Sequence, residues 1–226
     1  MAKNVALSVL RTRARQRADQ ENSGFISDTE LNYLLNVSCA ELYDLLLAAY
    51  DDEYFSDTDT FNTVSGTEQY SLPADFYKLL GVDLVLSSSQ LVPLQKFTFG
   101  DRDRYKSPLF NLQGSDLFRY RLNASNIIFA PIPTGVKTIK LTYVPAMPAL
   151  SQDADTFDGV NGWEEYAIID AAIKMRIKEE TSVQELIYEK NSIKKRIETM
   201  RNNRDAGDPA KITNTRGRSR RFLGRH

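Results

Sequence analysis

The spacing of apolar residues changes twice along this chain, and any fold must accommodate both changes. Leu31, Leu34, Leu35, Cys39, Leu42, Leu45, Leu46 and Ala49 recur at steps of three and four, the stripe of an amphipathic helix. Between residues 67 and 145 the pattern becomes short apolar runs and alternations broken by Pro, Gly and Asn, the pattern of strands and turns. From Trp163 helical spacing returns through Tyr166, Ile169, Ile173 and Ile177. Helix, then strand, then helix predicts an α+β protein. The expected architecture is a helical bundle, with an N-terminal helix pair and long C-terminal helices, carrying an inserted antiparallel β domain and an extended C-terminal tail. The boundaries fall at 1–60 for the first helices, 61–150 for the β region, 151–204 for the later helices and 205–226 for the tail.

Within this frame, residues 2–20 read as a helix with a narrow stripe of Leu7, Leu10, Ala14 and Ala18, ended by Gly24. Ser27-Asp28-Thr29-Glu30 is a capping box at the head of the strong stripe. Asp51, Asp52, Glu53, Asp57 and Asp59 read as an acidic loop. Residues 70–73, 79–86, 91–97, 118–122, 127–129 and 137–144 read as strands of an antiparallel meander. Ala167, Ala171 and Ala172 allow close packing of the later helix. Thr181-Ser182 interrupts it, and Ser182 to Glu185 forms a second capping box. The last helix presents Leu186, Ser192 or Ile193, Ile197 and Met200 on one face, and Gly207 and Pro209 stop it.

Charge is unevenly distributed. Residues 205–226 hold six basic and two acidic side chains, a net +4, whereas residues 1–204 hold 23 basic and 28 acidic, a net −5. After Pro209 no periodicity remains, so the tail is expected to order only on a partner. Fully extended it would reach on the order of 70 Å. The 42% hydrophobic content supports one substantial core. Cys39 is the only cysteine, which rules out an intrachain disulfide and fits a reducing compartment. No apolar run approaches the roughly 20 residues that cross a bilayer. The N-terminus lacks the h-region and cleavage site of a secretory signal. Synthesis in the cytoplasm and no membrane contact are expected.

The only histidine is His226, so Ser-His-Asp and Cys-His catalysis within the fold are excluded, as are zinc sites built on His and Cys. Asp153, Asp155 and Glu164 brush against a calcium-loop pattern, but Phe157 occupies a ligand position and Gly159 comes one residue late. Asp101/Asp103 and Glu164/Glu165 are carboxylate pairs with nothing to raise a pKa. No phosphate-binding glycine loop is present. No enzyme activity and no cofactor are expected. Cys39 and Trp163 read as packing residues. Arg11, Arg13, Arg15 and Arg17 admit two readings, a solvated face or a surface toward a neighbouring subunit or DNA. The tail also admits two, Arg–phosphate contact or docking onto a protein. Phe222-Leu223 favours docking, since an apolar pair can anchor while arginines pair at the rim.

The order of parts resembles the head-to-tail adaptor (connector, or head-completion) proteins of tailed bacteriophages. The likeness is carried by Leu10-Arg11-Thr12-Arg13 with the segment Phe25 to Asn36, by the segment Tyr70 to Val82, by the helix pair beginning at Trp163, and by Arg196-Ile197 through Asp208-Pro209 before a basic tail. The resemblance implies a structural virion protein of the neck, between capsid and tail. It implies a ring of twelve copies beneath the portal protein that lengthens the channel for packaged DNA. The tail would reach the portal through Arg216, Arg218, Arg220, Arg221, Phe222, Leu223 and Arg225. The β region would face a tail or nozzle protein, or a neighbouring subunit. The alternative is a nucleic-acid-binding module using the tail and the first-helix arginines.

Overall fold

A computed structural model describes residues 4–22, 24–50, 52–106, 119–160 and 162–201. The tail from residue 205, with all seven of its docking candidates, lies outside the described residues. Four long helices make the first body: α1 (Leu7–Ala18), α2 (Asp28–Tyr50), and two later ones described below. Leu7, Leu10, Ala14 and Ala18 are all buried, as the stripe requires. The Ser27 hydroxyl accepts the Glu30 amide at 3.2 Å and opens α2. On α2 the stripe Leu31, Leu35, Cys39, Leu42 and Leu46 is fully buried, while Leu34 and Leu45 pack against its margin.

The first residues depart from the helical reading. Asn4–Ala6 form a short strand, β1, paired antiparallel with a strand at Thr156–Asp158, and the Leu7 amide donates to the Asp155 carbonyl at 2.8 Å. A partner from the far end of the chain supplies these hydrogen bonds, which overrides the local helical pattern.

Two strands layers form the second body. The first sheet runs β2-β9-β4-β5 and the second β3-β8-β7-β6. Their members are β2 (Asp57–Asn62), β3 (Gln69–Ser71), β4 (Phe76–Ser87), β5 (Gln90–Pro93), β6 (Gln95–Lys96), β7 (Arg119–Asn123), β8 (Asn126–Ala130) and β9 (Thr138–Pro145). A short helix α3 (Arg102–Lys106) follows β6, and β10 is the Thr156–Asp158 strand already met. Two expectations change here. Asp57 and Asp59 are on a strand, not in an acidic loop, because β2 completes the sheet on β9. The arrangement is also not a meander. Only β4–β5 and β7–β8 are hairpins, β9 sits between β2 and β4, and β6 pairs parallel to β7. Local turn signals reveal hairpins but carry no information on partners 80 residues away. The inner faces meet through Val82, Leu84, Ile139 and Leu141 of one sheet and Ile127 and Phe129 of the other. The rings of Phe61, Tyr70 and Phe129 close the β2/β3 side.

Beyond β10 the chain returns to the helical body. Helix α4 (Glu164–Lys178) is buried on nearly every face, through Tyr166, Ala167, Ile168, Ile169, Ala171, Ala172, Ile173 and Met175. It packs against α1, α2 and the last helix, α5 (Gln184–Arg201). Ile177 breaks the expected stripe at 58% exposure. It lies in the last turn of α4, and its neighbour Lys178 reaches Glu30 in the first turn of α2. The second capping box does not cap α5. The Ile187 amide donates to Val183, so Val183 holds the cap position, while the Thr181 amide turns back to Arg176 to close α4.

The bodies join where Tyr43, Leu47 and Val144 pack with Phe55, Leu80 and Met147. The Tyr43 hydroxyl donates to the Pro145 carbonyl and the Tyr77 hydroxyl to Asp44, both at 2.8 Å. From this joint β4 and β9 carry the sandwich outward by roughly 25 Å, at about 3.3 Å per residue.

Gly159 marks a tight approach near the start of α4. A Cβ there would stand 2.7 Å from the Glu164 backbone nitrogen and 2.9 Å from its Cβ, so one of two backbones must move. Gly159→Ala is expected to lower the unfolding free energy by about 1–3 kcal/mol. Gly135→Ala, with open space around the added atom, should change it by under about 0.5 kcal/mol. Denaturant melts of both variants check this, and equal midpoints would refute the close contact.

Candidate interaction surfaces

The most chemically loaded cluster lies between α2, α4 and α5. The Asp170 carboxylate, 4% exposed, accepts the Ser38 hydroxyl at 2.6 Å, Lys174 Nζ at 2.5 Å and Lys190 Nζ at 2.7 Å. Lys190 also donates to Glu41 at 3.0 Å, and the Tyr166 hydroxyl donates to the same carboxylate at 2.6 Å. Burial alone would raise the Asp170 pKa, but the hydrogen bonds from Lys174, Lys190 and Ser38 outweigh it and hold the carboxyl below its ordinary value. Burial would lower Lys190, and its bonds to Asp170 and Glu41 raise it instead. A carboxylate that stays ionised among satisfied cations is a poor general acid or base. Its effect is to fix the register of three helices.

The first-helix arginines lie against carboxylates of their own chain. Arg11 pairs with Asp153 at 2.5 Å, Arg15 with Asp28 at 2.8 Å, Arg13 with Glu164 at 3.7 Å, and Arg17 with Glu165 and Glu189. The hydrogen bond from Arg15 is the largest influence holding the Asp28 carboxyl below its usual range. Arg11 and Arg15 have side chains only 15% and 16% exposed, whereas Arg13 and Arg17 stand 47% and 42% exposed.

The calcium-like loop satisfies itself. Asp155 accepts the Ser151 and Gln152 amides at 2.7 Å each, which keeps its pKa low. Asp158 accepts the Val160 amide at 2.8 Å. Among the described residues no group of three His, Cys, Asp or Glu side chains is placed to hold a metal. Glu164 is buried and Glu165 pairs with Arg17, so the two do not converge. Asp101 accepts the Thr98 hydroxyl and Asp103 pairs with Arg102. Burial pushes the Cys39 thiol up to about 12. Trp163 donates from Nε1 to the Tyr50 hydroxyl at 2.8 Å inside the core.

Two surfaces escape a reading of the sequence. The far end of the sandwich gathers Val64, Leu86, Leu91, Ile132 and Val136, all exposed, with Val136 at 73%. The pairing of Val85 with both Leu91 and Thr138 brings the β4–β5 turn beside the loop before β9. The Gly66 amide donates to the Pro133 carbonyl at 2.8 Å, which adds the loop after β2. Each residue is unremarkable in its own loop, and only the register collects them. The second surface is on the outer face of the second sheet. Arg119 lies 4.6 Å from the Tyr105 ring centroid, and Arg121 lies 5.1 Å from Phe99 and 5.8 Å from Phe97. The alternation Arg119-Tyr120-Arg121 signals that both arginines share a face. It does not signal the rings that residues 97–105 fold over them.

The profile of one protein family, described as SU10 adaptor protein, matches residues 6–212. No curated protein matches the chain.

The Asp170 cluster makes a stability prediction with a definite sign. Asp170 titrates below its unfolded value near 3.9, so its contribution is complete above about pH 5, begins to fall near pH 4 and is lost as pH drops through the lowered folded value. Lys190 titrates above its unfolded value near 10.4, so its contribution is complete below about pH 9 and is lost as pH rises. Asp170→Ala, which leaves Lys174 without its carboxylate and Lys190 with Glu41 alone, should cost about 3 kcal/mol at pH 7 and less at pH 3. Urea melts at both pH values measure the difference. An equal loss at pH 3 and pH 7 would show that packing, not charge, is responsible.

Proposed function

The chain belongs to the SU10 adaptor protein family, and on that premise we propose that it is the head-to-tail adaptor of a tailed-phage virion, ringed beneath the portal. The observation that carries this reading is the polarity of the molecule. At one side is a helical body whose last helix, α5, leads toward the basic tail. Some 25 Å along the strands from the joint, the sandwich ends in five exposed apolar side chains. A connector between two different machines needs two such unlike ends.

On this reading Arg216, Arg218, Arg220, Arg221, Phe222, Leu223 and Arg225 dock onto the portal. The apolar tip meets the tail or nozzle protein, and copies of the chain, twelve in the ring, enclose a channel for DNA. Tail docking gains from the ring, because many weak contacts presented together act at high effective concentration. A protein partner for the tail is favoured over nucleic acid because the α1 arginines, the other half of a nucleic-acid surface, pair with the chain's own carboxylates. The acidic body, net −5 over residues 1–204, would repel phosphate and so suit passage of DNA over retention.

Ending the chain after Pro209 separates tail from body. The shortened protein should keep the thermal melt of the full chain and lose portal binding at least 100-fold by surface plasmon resonance. Undiminished portal binding would retire the docking role of the tail.

A further inference from the structure

We infer that the arginine–aromatic face of the second sheet is one half of a contact between copies of this chain, and that the other half is the Asp57–Asp59–Asp75 edge of the next copy. The inference rests on the ring reading above and says which surfaces make the ring.

The basic half is organised for carboxylates. Arg102 stacks 4.1 Å over the Phe99 ring, Arg119 4.6 Å over Tyr105, and Arg121 5.1 Å from Phe99. The rings immobilise the guanidinium groups through their faces and leave N–H edges for paired oxygens. Arg102 has a carboxylate, Asp103, at 3.6 Å. Arg119 and Arg121 have no carboxylate partner among the described residues, and Arg121 Nε is buried with no hydrogen-bond partner. Phe99 is 62% exposed beside them. Oriented cations with no carboxylate partner among the described residues, on a body of net −5, are a local inversion of sign.

The acidic half lies at the β2 edge. Asp57 and Asp59 share the face of β2 that Phe61 uses to enter the core, and β2 is the outermost strand of its sheet. Asp75 accepts the Tyr143 hydroxyl at 3.0 Å. Burial first, then Asp75, Asp57 and Asp59, push that hydroxyl up to about 12, which marks three carboxylates acting on one point. The Asp57 and Asp59 carboxylates also accept the following amides, of Thr58 at 2.7 Å and Thr60 at 2.9 Å. Those bonds occupy outward amides of the edge, which disfavours strand addition there and leaves charge as its means of contact.

Within one chain the two halves cannot meet. The arginines are on the outer face of the second sheet, on β7 and beside α3, while the aspartates edge the first sheet beyond β9, and the shared core of Phe129, Ile139 and Leu141 lies between. Complementary patches held apart on one subunit make a head-to-tail contact, and such contacts close into rings when the rotation fits.

The test uses full-length chains mixed with portal and viewed by negative-stain electron microscopy, with mass photometry for stoichiometry. The unchanged chain should form rings, and absence of rings there would overturn the ring reading itself. Arg119→Glu with Arg121→Glu, and separately Asp57→Arg with Asp59→Arg, should each raise the concentration needed for assembly at least 10-fold. An equimolar mixture of these two proteins should recover assembly, since every contact in an alternating ring is again between opposite charges. All four changes in one chain should recover it too. Thermal melts confirm folding, and Arg119→Gln with Arg121→Gln and Asp57→Asn with Asp59→Asn serve as milder pairs with the same expected direction. Rings of normal strength from every single-patch variant would overturn the inference and leave the ring reading standing. A variant that assembles normally but loses 10-fold in DNA binding would overturn it in favour of a phosphate contact.

Discussion

Burial of α4 is the constraint on which the rest of the structure depends. This helix is covered by α1, α2 and α5 and exposes little beyond its last turn. It is also separated in sequence from α1 and α2 by the whole β region. The helical body therefore cannot close until residues 163–178 return to the place the chain left after Tyr50. That requirement shapes the insert. β2 leaves the joint and β9 returns to it as its antiparallel neighbour, so the excursion begins and ends at one place. Loop-closure entropy grows only slowly with length, and so a long insert is tolerated once its ends are paired.

Charge follows the same long-range logic. α1 carries four arginines on several faces, and each finds a carboxylate from α2, α4, α5 or the loop before β10. Exposed pairs of this kind add little stability individually, but together they select one docking of α1 against the bundle. The buried Asp170 cluster does the same for α2, α4 and α5 with greater force, because its charges are costly unless all are met. Register in this body is therefore fixed by charge as well as by packing.

The surfaces left over are where an adaptor can act. The first helix consumes its own arginines, whereas the arginines of the second sheet are stacked on rings. The apolar sandwich tip, the arginine face and the acidic β2 edge face different directions from one scaffold. That distribution leaves three chemically distinct surfaces on one member of an adaptor family.

The sequence by itself determined the elements whose cause is local. The stripes of α1 and α2, the Ser27 cap, the core position of Cys39 and the β7–β8 hairpin follow from spacing and side-chain chemistry within a few residues. It also determined the family order of helix, strand and helix, and the absence of histidine from the fold. What only the tertiary structure decided involves partners distant in sequence. Val5 joins a strand because Phe157 lies opposite it, and Asp57 and Asp59 leave the expected loop because β9 lies beside them. Arg11 and Arg15 face inward because Asp153 and Asp28 are there to meet them. The arginine–aromatic face exists because residues 97–105 fold back across β7. Periodicity reports which face of an element is apolar, but not which element will cover it, and sites made by pairing of distant segments are therefore decided by packing alone.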